Sequence, residues 1–368
     1  MSQAPPAPSP NHAPTLADAV AFAEAHETPF PRDLRAHLEA GHFEPPPHNA
    51  VIGPIFARGA PNGLIERRGE RLAEWGDTRQ ADMTFSVAKS YLSLLAGIAW
   101  ADRLLTDLDE PVRARIRDGG FESDQNSTIT WRHLLTNTSE WEGELFGKSD
   151  VIDRGRDLGA QDARAAARAG AREGAGPKGA ARPLQAPGAH WEYNDVRVNR
   201  LALCLLRLFR RPLPEVFAER ILDPIGGSRD WVWYPYDNAF VEVDGQRLPS
   251  VPGGSHWGGG LRIGAADQAL VGRLVLRGGE WAGRPVIPRQ WLDWSLSPCP
   301  LNPSYGFLWW LNGAGRWPEA PRDSVFATGA GGNVTWIWPE GDTVAVLRWV
   351  HPDAVGRFCA LAAAALRG

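Results

Sequence analysis

The sequence predicts an α/β fold: a sheet domain assembled from both ends of the chain, with a mainly helical domain inserted in its middle. Three observations predict it. β-rich runs lie near both ends, at 62–76 and 333–350. Between them the apolar positions follow helical spacing. The chain has 368 residues, 43% hydrophobic and 22% charged, enough apolar side chains for about two packed domains without disulfide or metal staples. Residues 1–14 then read as a disordered tail, 15–85 and 251–368 as the sheet domain, and 86–250 as the helical domain. A cleft between the two domains is the natural place for a site.

The elements follow in order. An acidic amphipathic helix is expected around Leu16 to Ala25. Two short runs either side of Arg67 to Glu70 fit a β-hairpin with a glycine in its turn. From Tyr91, the positions Tyr91, Leu94, Leu95, Ile98 and Ala99 repeat at helical intervals, while Ala88, Ala96 and Gly97 keep the other faces small, which describes a helix buried on most sides. The stretch 155–182 mixes alanine, arginine and glycine and reads as a helix followed by a surface loop, its arginines forming a solvated face. After 250, a glycine turn leads into a helix, a second hairpin turns around Pro339 to Asp342, and an alanine-rich helix runs from Pro352 to Leu366.

Composition narrows the function. With 39 Lys and Arg against 43 Asp and Glu, the chain lacks the basic balance a phosphate backbone calls for, so nucleic acid is not an expected partner. No run is long and apolar enough to predict a membrane span. Cys204, Cys299 and Cys359 form no zinc-binding spacing and are expected to be reduced and buried, and the scattered histidines predict no metal site. The first residues are proline-rich, with no basic start followed by an apolar core, so the expected location is the cytoplasm. Seventeen tryptophans serve core packing or wall an aromatic pocket.

Three motifs carry chemistry. In Phe85-Ser86-Val87-Ala88-Lys89-Ser90, serine and lysine stand three apart at the start of the buried helix, on one face. A serine hydroxyl needs a base to become a nucleophile, and a nearby lysine amine can serve. At a helix start the Ser86 backbone N–H is also free to face a developing oxyanion. Lys89 enters an apolar stretch with no other charge before Asp102, which an idle lysine would avoid. The second motif is Trp191-Glu192-Tyr193-Asn194-Asp195, where a tyrosine at a loop-to-helix junction can relay protons beside a cation. The third is Ala327-Thr328-Gly329-Ala330-Gly331-Gly332 before a strand, small residues that let a substrate lie along a strand edge. Packing or a plain turn is the competing reading of each motif taken alone.

Taken together and in this order, the motifs resemble the serine β-lactamase and penicillin-binding-protein superfamily, with its SxxK, tyrosine and KTG-like boxes. The resemblance runs over roughly residues 52–368 to the class C β-lactamase-like branch, and is most similar to the group of 6-aminohexanoate-dimer hydrolase and related esterases. It implies an antiparallel sheet flanked by N- and C-terminal helices, with the helical domain inserted. It further implies that Ser86 is acylated, that Lys89 is its hydrogen-bonded base partner, that Tyr193 relays the proton, and that the Ser86 and Ala330 N–H groups form the oxyanion hole. No metal or organic cofactor is implied.

Two departures from the family pattern bear on substrate. Asp195 stands where the family has an amide, which puts recognition of an acylamido group in doubt, and Ala327 stands where it has a lysine that binds a carboxylate. Asp195, Trp141, Trp191, His256, Trp257 and Gly329 are the candidate substrate-binding residues. Arg348 and His351, after the last strand, are read as meeting an acidic substrate group or, failing that, solvent. The expected activity is hydrolysis of a small ester or amide. A D-amino-acid peptidase or weak β-lactamase is the alternative enzyme, and a non-catalytic binding or sensor protein on the same fold is the alternative of another class.

Overall fold

In the computed structural model, residues 14–41, 46–156, 179–254 and 258–368 are described. The expected tail, most of the arginine-rich stretch, and His256 and Trp257 lie outside them. Helix α1 (Leu16–Ala25) starts at a reciprocal cap, in which Asp18 N–H donates to Thr15 Oγ1 while the Asp18 carboxylate accepts from Thr15 N–H. Strands β1 (Asn62–Arg67) and β2 (Glu70–Trp75) form the expected hairpin, followed by the short β3 (Asp82–Met83). Helix α2 (Val87–Ala101) and helix α3 (Asp195–Phe209) pack against each other. Strands β4 (Val232–Tyr234) and β5 (Gly260–Ile263) precede helix α4 (Ala265–Leu276). Strands β6 (Trp310–Leu311), β7 (Val325–Gly329), β8 (Asn333–Trp338) and β9 (Thr343–Arg348) lead to the final helix α5 (Val355–Arg367).

The main sheet runs β6-β7-β8-β9-β1-β2 and is antiparallel throughout, so the N-terminal hairpin closes onto the last strand of the chain. Alternation decides which residues face where. Leu64, Val344 and Val346 pack with Ala265 and Ala269 of α4 on one face, and Ile65, Ala345 and Leu347 join the larger core on the other. There α1 packs on α5, with Trp75 against Phe358. This is the β-lactamase-like α/β architecture that the resemblance implied. A second sheet, β3-β5-β4, was not foreseen: where a glycine turn alone was expected, Gly260–Ile263 is a strand pairing with Asp82–Met83.

Helix α2 is buried from Val87 to Ala99. Full burial of each of Leu92, Leu94, Leu95 and Ile98 stabilises by about 1.5–3 kcal/mol, which anchors the turn carrying Ser86 and Lys89. The three cysteines are free and buried, and burial pushes the Cys204 thiol up to about 12. Among the described residues, no helix is long and apolar enough to cross a membrane.

Candidate active site

The chain turns sharply from β3 into α2. Phe85, a non-glycine residue, sits at φ +50°, a conformation that persists only where its surroundings impose it. They do so here. Thr84 N–H donates to Leu261 O at 2.9 Å, and the Phe85 ring meets Trp349 edge-on at 6.2 Å. Trp349 Nε1 donates to Asp82 Oδ2 at 2.7 Å. Arg348 is fully buried and donates to Asn333 Oδ1, Ile263 O and Met83 O at 2.7–2.8 Å. Both readings of Arg348 are thereby corrected: it meets neither substrate nor solvent, because its guanidinium ties β8, β5 and β3 together beneath the corner. His351 accepts from Asp353 N–H through Nδ1 and caps the short turn Pro352–Ala354.

Beyond this corner a chain of polar contacts begins. Lys89 Nζ donates to Ser86 Oγ at 2.7 Å. The lysine is 1% exposed, and a buried ammonium needs a counter-charge. Asp195 supplies it, with Oδ1 at 2.6 Å from Nζ. The other oxygen, Oδ2, accepts from Arg156 Nη1 at 2.9 Å, and Asp195 N–H donates to Asp153 Oδ2 at 2.8 Å. Asp195 is 0% exposed, so the expectation that it contacts substrate is corrected: both oxygens are committed to cations inside the protein.

Tyr193, next to the start of α3, lies over this chain. Lys89 Nζ is 4.9 Å and Arg156 Cζ 5.3 Å from its ring centroid. Its other neighbours are aromatic. Trp310 stacks on it at 5.6 Å, and Tyr305 meets it edge-on at 6.1 Å, its hydroxyl accepting from Asn137 Nδ2. Trp191, half-buried, meets Tyr305 and Trp310 at 5.4 and 6.1 Å. Trp141 is buried, and its indole N–H donates to Gly120 O at 2.7 Å, which makes it packing. Sequence reading missed Trp310 and Tyr305, whose only signal was an aromatic run after Pro303, and Asn137, which had none.

Behind Tyr193 lies a buried ion network. Arg182 forks onto both oxygens of Glu140 at 2.7 Å, and Arg197 reaches Glu140, Asp150 and Glu192 at 3.0–3.1 Å. Burial alone would raise the Glu192 carboxyl, but His190, Arg197 and Arg182 hold it down at about 2. Arg156 and Arg182 are therefore not the solvated arginines that their stretch suggested.

The small residues lie where the corner needs them. A Cβ on Gly329 would fall 2.0 Å from Thr84 O and 3.1 Å from Ser86 N, so the end of β7 passes directly beside Ser86. This brings Ala330 to the same corner, with its carbonyl held by Asn333 Nδ2 at 2.8 Å. Gly254, at φ +96°, closes the far side, where a Cβ would meet Phe85 O at 2.0 Å. Ala327 is buried within β7 and brings no charge.

This fold and this SxxK corner are those of the serine β-lactamase and penicillin-binding-protein superfamily. The chain belongs to the beta-lactamase family, whose model matches residues 77–363. No curated protein matches it in sequence. Among solved structures it is similar to EstCE1, a hydrolase with promiscuous acyltransferase activity, at TM-score 0.58 and 16% identity, covering 95% of this chain and 98% of that one. It is also similar to a family VIII carboxylesterase, at TM-score 0.57 and 15% identity, covering 91% and 97%. A third is a protein of Bacillus anthracis assigned as a 6-aminohexanoate-dimer hydrolase, at TM-score 0.55 and 17% identity, covering 82% and 77%. At these identities the likeness is one of fold.

Proposed function

We propose that this protein is a serine hydrolase that opens a small ester or amide through an acyl-enzyme at Ser86. The observation that carries the reading is the 2.7 Å contact between Lys89 Nζ and Ser86 Oγ at the start of a buried helix, under the Tyr193 ring. In this reading the form that turns over carries Lys89 as the neutral amine: Ser86 Oγ attacks the carbonyl carbon as its proton passes to Lys89 Nζ, forming the ammonium that Asp195 balances, and Tyr193 relays that proton towards the leaving group. The Ser86 and Ala330 N–H groups hold the oxyanion, which the approach of Gly329 to Ser86 N supports. Collapse of the tetrahedral intermediate breaks the bond to the leaving group, which takes the proton from Tyr193. Water then attacks the acyl carbon and gives up its proton by the same route, releasing the acid and restoring Ser86.

The aromatic wall of Trp191, Tyr305 and Trp310 favours an apolar or flat acyl or leaving group. The likeness in fold to a carboxylesterase and to a protein assigned as a 6-aminohexanoate-dimer hydrolase supports esters and linear amides. Buried Ala327, with no cation on its strand, speaks against penicillin as a preferred substrate. The test is turnover of short-chain p-nitrophenyl esters, a linear amide dimer and a chromogenic cephalosporin by wild type and Ser86→Ala. Ester or amide turnover lost in Ser86→Ala is expected; cephalosporin turnover exceeding both would favour the lactamase reading. We assign the protein a small-molecule substrate and a cytoplasmic setting as part of the same proposal.

A further inference from the structure

Arg156 belongs to none of the three sequence motifs, yet it touches the groups that surround the proposed nucleophile. Its Nη1 lies 2.9 Å from Asp195 Oδ2 and 3.3 Å from Asp153 Oδ1, and its side chain is 14% exposed. Asp195 binds Lys89 with its other oxygen, so one carboxylate joins the two cations that face Tyr193. Burial alone would lower the Arg156 pKa, but Asp195 and Asp153 outweigh it and hold the pKa above its ordinary value, so the guanidinium stays charged.

We propose that Arg156 is a positioning residue of the catalytic centre: it supplies the second positive charge facing Tyr193 and holds Asp195 where Asp195 keeps Lys89 on Ser86 Oγ. The proposal rests on the Ser86 acyl-enzyme reading. Among the described residues, the charged and titratable groups in contact with Tyr193, Lys89 or Asp195 include Lys89 from α2, Asp195 from α3, Arg156 and Asp153 from the segment before residue 157, and Tyr305; Arg316 lies one ring further out, over Trp310. Glu192, the sequence neighbour of Tyr193, is taken by Arg182 and Arg197. Arg156 thus adds a unit of positive charge facing Tyr193, which favours negative charge developing on the serine or tyrosine oxygen. Without Arg156 the same charge develops with one cation fewer beside the Asp195 and Asp153 carboxylates, which like-charge repulsion opposes. Strand β7 carries no charged residue to compensate from the sheet side.

The experiment compares Arg156→Gln, Asp153→Asn and their double variant with wild type, using a p-nitrophenyl ester, the full pH profile of kcat/KM, and thermal unfolding. Arg156→Gln is expected to lower kcat by about 10–100-fold with KM little changed, and to move the acidic limb of the profile up by about one pH unit. Asp153→Asn moves the limb the opposite way. The double variant, which restores the charge balance while losing the hydrogen bond between the two side chains, recovers part of the lost rate. A purely structural Arg156 would shift no limb and would not be rescued by deleting its own partner. Unmoved limbs in Arg156→Gln and Asp153→Asn overturn the proposal; if Arg156→Gln fails to fold, an unmoved limb in Asp153→Asn overturns it alone. Fluorophosphonate labelling of wild-type Ser86 separates the two claims: labelled Ser86 with unmoved limbs refutes only the role of Arg156, whereas unlabelled Ser86 refutes the underlying reading and this proposal with it.

Discussion

Ser86 and Lys89 are separable in what they do to the molecule. Ser86 is half-buried, and among the described residues its hydroxyl meets Lys89 Nζ and makes a long 3.4 Å approach to Gly254 O. Ser86→Ala is therefore expected to abolish turnover with little change in melting temperature. Lys89→Ala is expected to slow turnover by about 10³–10⁴-fold, since removing either member of a nucleophile and base unit disables the unit. Retained activity in the first variant moves the nucleophile elsewhere, and a loss under tenfold in the second makes Lys89 structural. Residues three apart on one helix turn could be paired from the sequence alone, and so Ser86 and Lys89 were. Asp195 was noticed as an oddity but misassigned, because its partner Lys89 lies 106 positions away and only the packing of α2 on α3 brings them together. Arg156 was hidden for the opposite reason: among many arginines in an alanine-rich stretch, nothing local marks it as one that folds inward.

At the scale of elements, the corner between β3 and α2 is what the surrounding structure is built to hold. Arg348 satisfies three acceptors on three separate strands or their flanks. Arg348→Met keeps about the same volume but removes the buried donor those acceptors share, at about 1–3 kcal/mol for each group left unsatisfied. The expected outcome is a loss of about 3–5 kcal/mol in denaturant unfolding, with turnover falling further than the folded fraction because Phe85 and Ser86 lose their support. A loss under 1 kcal/mol would contradict the clamp. The hairpins at 62–76 and 333–348 and the long helices were readable because each has a run of regular spacing. β3, β4 and β5 have two to four residues each, too short for any period to register, and they exist only because their partners align them.

Across the whole molecule, the sheet joins the N-terminal hairpin to the last strand, and a buried charge network adjoins Tyr193, the tyrosine beside Lys89. That network makes stability depend on acid. Glu192 and Glu140 are held below their ordinary carboxyl values, Glu192 at about 2, with arginine partners outweighing burial in both. A depressed carboxyl adds stability that is complete above its unfolded value of 4.5 and is lost as pH falls through the folded value. Melting temperature is therefore expected to fall steeply from pH 4.5 towards 2. Glu192→Gln should melt lower at pH 7 and decline less steeply with acid; an equally steep decline would show that other groups control acid unfolding.

All of this converges on one oxygen atom. The measurement that tests it most directly is intact-protein mass spectrometry after brief incubation with p-nitrophenyl esters of increasing chain length and with a fluorophosphonate, followed by peptide mapping and with Ser86→Ala alongside. An adduct of the acyl or phosphonyl mass on the peptide containing Ser86, absent from Ser86→Ala, is the predicted result. No adduct on folded wild-type protein, or one that persists in Ser86→Ala, would contradict it.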